Sequence, residues 1–168
     1  MNCENSSSLL IKGATVLLPG GPEETDVACR DGRIVAIGEP FQADTIFEAR
    51  GLHLLPGAVD SQVHFREPGM THKETLEAGT RGAIIGGITS VFEMPNTQPL
   101  TLYAEDLQAK IAIAERDAWC NYAFYIGGSA ANAEQLAELE CLPACSGVKI
   151  FMGSSFGDLL ADSDDVLR

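Results

Sequence analysis

Residues 57–95, GAVDSQVHFREPGMTHKETLEAGTRGAIIGGITSVFEMP, contain the alternation of elements that decides the fold. Residues 58–65 predict a strand, which we interpret as buried on both faces of a parallel sheet. Residues 71–87 predict a helix, which begins at a capping box formed by Thr71 and Glu74 and ends at the Gly86–Gly87 pair. Residues 88–95 predict a second strand. This order forms a βαβ unit, whose two strands are parallel.

The same alternation continues along the rest of the sequence. Residues 102–117 predict a helix, residues 119–128 a strand, residues 131–140 a helix and residues 147–155 a strand. Four strands therefore alternate with three helices. This pattern is typical of α/β proteins and predicts either an open doubly wound sheet or a (β/α)8 barrel.

Residues 9–55 have a different pattern, of short apolar runs separated by turn residues. The Asp31–Gly32 pair lies between two alternating runs and predicts a tight hairpin, because both residues tolerate positive φ. Two further short strands follow, and together these runs predict a small antiparallel β unit. The pattern changes at Pro56–Gly57, which divides the chain into a β-rich segment, residues 1–56, and an α/β segment, residues 57–168.

Composition and charge exclude several classes of partner. The chain has 168 residues and a formal net charge of −13, from 24 acidic and 11 basic residues. This charge repels phosphate backbones and anionic lipids, so nucleic acids and membrane surfaces are not expected partners. No apolar segment has the length of a membrane-spanning helix, and the first residues lack the features of a signal peptide. Five cysteines, an odd number, fit a reducing cytoplasm, which is the predicted location.

Polar side chains occur where the predicted parallel strands end. His64 and Arg66 follow the first strand, Asn96 follows the second, and Lys149 lies in the fourth. The active sites of such folds gather at the carboxyl ends of the strands, so these residues are candidates for a pocket. Taken alone, a histidine at a strand end is more often a hydrogen-bonded structural group than a ligand.

Lys149 is unusual because its neighbours Val148, Ile150 and Phe151 are apolar. A buried ammonium is costly without a partner. Either Lys149 has a role in a site, or its side chain points outward, or it pairs with an acid such as Asp60 or Glu93.

The segments VHFREPG, MPNT and GVKIFMGSS, in this order, strongly resemble the dihydroorotase branch of the amidohydrolase superfamily. Allantoinases, hydantoinases and non-catalytic homologues belong to the same branch. The resemblance extends from about Leu9 onward. It implies a (β/α)8 barrel, a small β-sandwich built by segments from both chain ends, and a centre of one or two divalent metal ions, usually zinc, at the barrel mouth.

The resemblance also implies roles for individual residues. His64 corresponds to the second histidine of the His-x-His metal motif, and Lys149 corresponds to a lysine that carbon dioxide converts to a metal-bridging carbamate. Arg66 would hold a carboxylate of the substrate, with help from Asn96. Arginine's planar fork suits a bidentate grip on a carboxylate, and burial favours the neutral amine that carbamate formation requires.

Two features depart from the family's pattern. Gln62 stands where the first metal histidine is usual, and a glutamine oxygen binds zinc more weakly than imidazole does. The family's two further histidine ligands and its catalytic aspartate have no counterparts up to Arg168. We therefore expect the chain to be the N-terminal portion of a longer enzyme, inactive alone, with its general base downstream.

The resemblance predicts a dihydroorotase, which hydrolyses dihydroorotate reversibly to N-carbamoyl-aspartate in pyrimidine synthesis. It also implies a homo-oligomer that acts on a small-molecule substrate. One alternative is an allantoinase or hydantoinase that opens a cyclic ureide. Another is a non-catalytic homologue that accompanies a transcarbamoylase, which Gln62 favours. A third arises from GSSFG, residues 153–157, which matches the elbow of serine hydrolases with Ser155 as nucleophile, although no histidine follows it.

Overall fold

The structure, a computed structural model, describes residues 7–153 and 159–162. Its contacts divide the chain into two compact units, Met1–Pro56 and Gly57–Arg168. Within the described ranges, no helix has both the length and the apolar character needed to cross a membrane. The cysteines in these ranges, at positions 29, 120, 141 and 145, are free thiols.

The first unit is a five-stranded sheet. Its strands are β1 (Ser8–Leu18), β2 (Gly21–Arg30), β3 (Arg33–Ile37), β4 (Thr45–Glu48) and β5 (His53–Leu54). The sheet order is β3-β2-β1-β4, with β5 also paired to β1. The β1–β2 and β2–β3 pairs are antiparallel, but β4 and β5 are both parallel to β1. The expectation of a purely antiparallel unit is therefore wrong, because the chain leaves β3 and returns on the other side of β1.

The hairpin between β2 and β3 confirms the prediction made from its turn residues. Asp31 and Gly32 have φ values of 51° and 73°, the left-handed conformation that such two-residue turns require. On β1, the register shifts between Ile11 and Ala14, and the backbone N–H of Gly13 donates to Asp26 Oδ1 over 2.8 Å. The small core of this sheet includes Ala14, which is fully buried.

The second unit is a parallel sheet whose strands alternate with helices. Its strands are β6 (Ala58–Val63), β7 (Ile88–Glu93), β8 (Asn121–Gly127) and β9 (Cys145–Lys149). Its helices are α1 (Leu76–Ile85), α2 (Ala104–Asp117) and the short α3 (Leu136–Leu139), which a 3-10 turn, Ala133–Gln135, precedes. The sheet order is β6-β7-β8-β9 and every pair is parallel, which confirms the predicted α/β fold.

The strand order separates the two architectures that the sequence left open. A doubly wound sheet reverses its direction of growth after its first strands, whereas a (β/α)8 barrel adds each strand beside the preceding one. The consecutive order seen here is that of the beginning of a barrel. Its core, between sheet and helices, contains Leu76, Leu107 and Phe124, all fully buried.

Two elements, β6 and α1, differ from the sequence prediction in burial or in where they begin. The strand β6 is not buried on both faces, since Val59 is 58% exposed. Among the described strands β6 pairs only with β7, so it lies at the edge of the sheet. The helix α1 begins at Leu76 rather than residue 71, with Thr75 as its cap: Thr75 Oγ1 accepts from the N–H of Ala78 over 3.1 Å. The Thr71–Glu74 capping box is therefore wrong, because residues 66–73 form turns.

The predicted third helix and fourth strand are shorter than expected. The polar contacts of Asn132 hold the chain in a loop before α3, since its Nδ2 donates to the carbonyl oxygens of Leu102 and Gly127 over 2.8 and 2.9 Å. The strand β9 ends at Lys149, and residue 151 forms only an isolated bridge to Leu160. Ser155, the nucleophile of the serine-hydrolase alternative, lies outside the described residues.

Candidate active site

The predicted site residues follow the carboxyl ends of strands in one sheet. His64 and Arg66 follow β6, Asn96 follows β7, and Lys149 is the last residue of β9. Parallel strands bring these ends to the same edge of the sheet. The structure joins His64, Arg66 and Asn96 by hydrogen bonds. Of these three residues, Lys149 is related to His64 alone, through a positive charge that adds to the lowering of the pKa that burial causes.

The His64 imidazole has a defined orientation. Its Nδ1 lies 2.8 Å from Asn96 Oδ1. Because an amide oxygen only accepts, Nδ1 carries the hydrogen and Nε2 keeps a free lone pair. A metal-binding histidine usually donates its second N–H to an oxygen in this way, which fixes the tautomer. The half-buried ring therefore has its Nε2 lone pair available to bind a cation.

The electrostatic surroundings favour the neutral form of this imidazole. Burial lowers the pKa of His64 below its usual value of 6.5, and the positive charges of Arg66, Lys149 and Lys110 lower it further. The hydrogen bond to Asn96 opposes the shift. A neutral imidazole is the form that binds metal ions.

Arg66 has a left-handed backbone, with φ at 66°, which is uncommon for a side chain of its size. Its Nη1 donates to the backbone oxygen of Asn96 over 3.3 Å. Asn96 thus contacts both site residues of the first strand end, through its side chain and its backbone. The sequence predicted a substrate contact for Asn96; in the structure its amide oxygen is engaged by His64.

The loops after β6 and β7 are joined at further points. The N–H of Gln98 donates to the oxygen of Pro68 over 3.1 Å. A Cβ at Gly69 would collide with the backbone oxygen of Gln98, and φ at this glycine is 88°, so the approach requires glycine. Glu67 Oε2 accepts from the N–H of Leu76 over 2.7 Å, which ties the first loop to the start of α1. The two loops therefore form one packed support for the site.

Lys149 is half-buried, and its Nζ lies 5.2 Å from the centroid of the Phe151 ring. Among the described residues it forms no ion pair with Asp60, Glu93 or another carboxylate. Burial lowers the pKa of His64, and the positive charge of Lys149 adds to that shift. An ammonium does not bind a metal ion, so Lys149 becomes a ligand only as a neutral amine or as a carbamate.

The described residues do not form a complete metal site. They contain no cluster of three or more histidine, cysteine or acidic side chains. Gln62 is exposed, and its backbone N–H donates to Asp60 Oδ1 over 3.0 Å. His53 and His72 are also exposed. The donor chemistry of His64, together with Lys149 in an altered form, fits a divalent metal ion that takes its remaining ligands elsewhere.

Sequence reasoning missed a buried ion pair directly behind this site. Glu93, the last residue of β7, lies against Lys110 of α2, with 3.0 Å between Oε2 and Nζ. The sequence analysis considered Glu93 as a partner for Lys149, but its partner is Lys110. A signal was present, because Leu107, Lys110 and Ala114 recur at the spacing of one helix face, and the other two are apolar.

The comparisons with known proteins place this chain in a family. Residues 53–155 match the model of the amidohydrolase family, which is more than half of the chain. The chain belongs to the amidohydrolase family. Members of this family generally bind metal ions.

The proteins similar to this chain include an allantoinase and two hydantoinases. An allantoinase of Desulfitobacterium hafniense is 38% identical over 161 residues, which cover 94% of this chain and 35% of the relative. The L-hydantoinase (dihydropyrimidinase) from Arthrobacter aurescens superimposes with a TM-score of 0.88 at 27% identity, over 96% of this chain and 37% of that one. A D-hydantoinase (dihydropyrimidinase) from Thermus sp. gives 0.72 at 29% identity, over 87% and 33%. This chain therefore spans about a third of the length of the proteins it resembles.

Proposed function

We propose that this chain is the N-terminal portion of a metal-dependent cyclic amidohydrolase that opens a cyclic ureide, as an allantoinase or hydantoinase does. The observation that carries this proposal is the His64 imidazole, which Asn96 holds with a free Nε2 at the strand ends of an amidohydrolase-family sheet. The names of the similar proteins favour this alternative over dihydroorotase. Nothing in them supports dihydroorotate or pyrimidine synthesis in particular.

The residues of this chain would hold the metal and place the substrate. His64 would bind the metal through Nε2, and Lys149 would bind it after conversion to a carbamate. When bound, a divalent metal such as zinc polarises a carbonyl group and lowers the pKa of a coordinated water to about 7. Further ligands and the general base would come from the remainder of the protein.

Arg66 would bind the carboxylate that ring opening produces. Hydrolysis of a ring amide breaks the C–N bond, forms a C–O bond and leaves a carboxylate in the opened product. The guanidinium beside Asn96 offers donors to that carboxylate, and charge-assisted hydrogen bonds of this kind are strong. Arg66 therefore suits a neutral cyclic ureide that acquires a charge as it opens.

The non-catalytic scaffold remains a second candidate because Gln62 occupies the place of a metal histidine. In that case the partner would be a transcarbamoylase. For either function we propose a homo-oligomer. Metal content separates the two functions, because a scaffold needs no metal.

The test uses the full-length protein, stripped with a chelator and reloaded with zinc, and offers it allantoin, hydantoin, dihydrouracil and dihydroorotate. We expect opening of one or more uncharged rings in preference to dihydroorotate. His64→Ala should lose the metal and the activity, whereas the matched substitution His72→Ala at an exposed histidine should keep both. Opening of dihydroorotate alone would restore the prediction from the sequence. A parent protein that binds no metal and opens no ring would favour the scaffold.

A further inference from the structure

The Lys110 ammonium is enclosed by three groups of the second unit. It lies 3.0 Å from Glu93 Oε2, donates to the backbone oxygen of Met94 over 3.0 Å, and stands 5.4 Å from the centroid of the Phe124 ring. The side chains of Lys110 and Glu93 are each 1% exposed. The ammonium therefore contacts two consecutive residues at the end of β7, one through a side chain and one through the backbone.

This attachment is close to the support of His64. The N–H of Met94 donates to the oxygen of Val63, the residue before His64, over 3.0 Å. Two residues after Met94, the side chain of Asn96 holds the imidazole. Lys110 thus fixes the end of β7, from which the Asn96 loop departs, and that loop contacts the candidate metal ligand His64 of the neighbouring strand end.

The Glu93 carboxylate faces the first loop as well. The backbone N–H of Arg66 and the Lys110 charge both lower the pKa of Glu93, although burial dominates and raises it. Neither carboxylate oxygen has a well-aligned hydrogen-bond partner among the described residues. The carboxylate is therefore held mainly by charge, between the helix α2 and the loop that carries Arg66.

Stability alone does not account for such a pair. Taking two charges out of water costs about as much as their attraction returns, so apolar residues of similar size are often equally stable. A buried charge pair that also anchors the backbone instead specifies one geometry at that point.

We propose that Glu93 and Lys110 are positioning residues for His64: by fixing the end of β7, they hold Asn96 where its amide oxygen orients the imidazole. They touch neither the metal nor the substrate. The inference rests on the proposed function only in taking His64 as a metal ligand.

The test compares the full-length parent with the double variant Glu93→Leu/Lys110→Met, which removes both charges and approximately keeps the volume. We expect the variant to fold with a melting temperature close to the parent's, and to bind zinc about 10- to 100-fold more weakly in competition with a chelator. The visible spectrum of the cobalt-loaded protein should change, because the ligand is misplaced. The matched control neutralises the exposed pair Glu77–Arg81 as Glu77→Gln/Arg81→Met, and it should leave the zinc affinity and the cobalt spectrum unchanged.

A second variant and a metal-free readout keep the outcome decisive. Glu93→Asp keeps the charge but shortens the side chain, and it serves as the test if the double variant does not fold. We expect it to weaken zinc binding several-fold. In the metal-free protein at pH 8, diethyl pyrocarbonate should modify His64 faster in each variant than in the parent, with His72 unchanged as reference. Folded variants with the parent's His64 reactivity and zinc affinity overturn the inference. A parent that binds no zinc refutes the proposed function alone, and the His64 reactivity then decides the inference.

Discussion

The Nδ1 atom of His64 lies 2.8 Å from Oδ1 of Asn96, and this contact links the ends of two neighbouring parallel strands. It fixes the tautomer of the ring and leaves Nε2 as the only nitrogen with a free lone pair. The carboxyl end of β6 thus supplies the histidine that we propose as a metal ligand, and the carboxyl end of β7 supplies the group that orients it.

Asn96→Ala should weaken metal binding without unfolding the protein. Loss of an oxygen partner behind a metal-binding histidine typically lowers metal affinity 10- to 100-fold, as chelator competition on the full-length protein would measure. Asn96→Asp should retain most of the affinity, because a carboxylate oxygen also accepts from Nδ1. The control is Asn121→Ala, at an exposed asparagine far from the strand ends that form the site. Parent-like affinity in Asn96→Ala would show that the ring needs no such support.

Arg66→Met should discriminate between classes of substrate. A charged donor lost from a carboxylate costs about 1.5–3 kcal/mol, so KM for a ring that already carries a carboxylate should rise roughly 10- to 150-fold. For an uncharged ureide, KM should change little and kcat should fall, because the ring carries no negative charge when it binds and acquires it in the transition state as oxygen adds to the carbonyl. Steady-state kinetics with hydantoin and dihydroorotate would measure both effects. Equal changes in KM for both rings would contradict the assigned contact.

His64 should stay neutral at lower pH than an ordinary histidine. Burial lowers the pKa of its imidazole from 6.5, and the charges of Arg66, Lys149 and Lys110 add to the shift. In the metal-free protein, the pH at which His64 is half-reactive toward diethyl pyrocarbonate should lie below 6.5. The unfolded chain takes up this proton more readily, so protonation of His64 favours unfolding. The stability that the neutral imidazole contributes is fully present above pH 6.5 and is lost as the pH falls from there through the lower pKa of the folded protein. A midpoint above 6.5 would mean that the ring is stabilised as a cation.

Two glycines of α1 should respond oppositely to alanine. A Cβ at Gly79 would overlap the Phe65 ring in the core, whereas a Cβ at Gly82 meets no atom within 4 Å. Gly82→Ala should therefore stabilise the protein by about 0.5–1 kcal/mol, because alanine has the higher helix propensity. Gly79→Ala should destabilise it by about 1–3 kcal/mol, because the core is overpacked. Denaturant unfolding would compare them, and a stabilising Gly79→Ala would show that Phe65 has room to move.

Much of the fold follows from local pattern. The switch from short alternating runs to strands separated by helical periods at Pro56–Gly57 predicted the α/β unit, and the Asp31–Gly32 pair predicted the β2–β3 hairpin of the first unit. The local pattern did not predict the features that depend on pairing between segments distant in the sequence. The parallel pairing of β4 and β5 with β1 depends on how the chain crosses the sheet after β3, and the exposure of β6 depends on its place at the edge of the sheet.

For the candidate site too, some features follow from the sequence and others only from the tertiary structure. The sequence by itself determined that His64, Arg66 and Asn96 fall at or near the ends of parallel strands, because hydrophobic runs mark where these strands stop. It placed Lys149 inside the fourth strand, and only the structure shows that this strand ends at Lys149. Only the tertiary structure decided that Asn96 orients His64, and that Lys110 rather than Lys149 pairs with Glu93. The physical reason is that periodicity reveals which face of an element is apolar, but the groups that meet across an interface depend on how the elements pack.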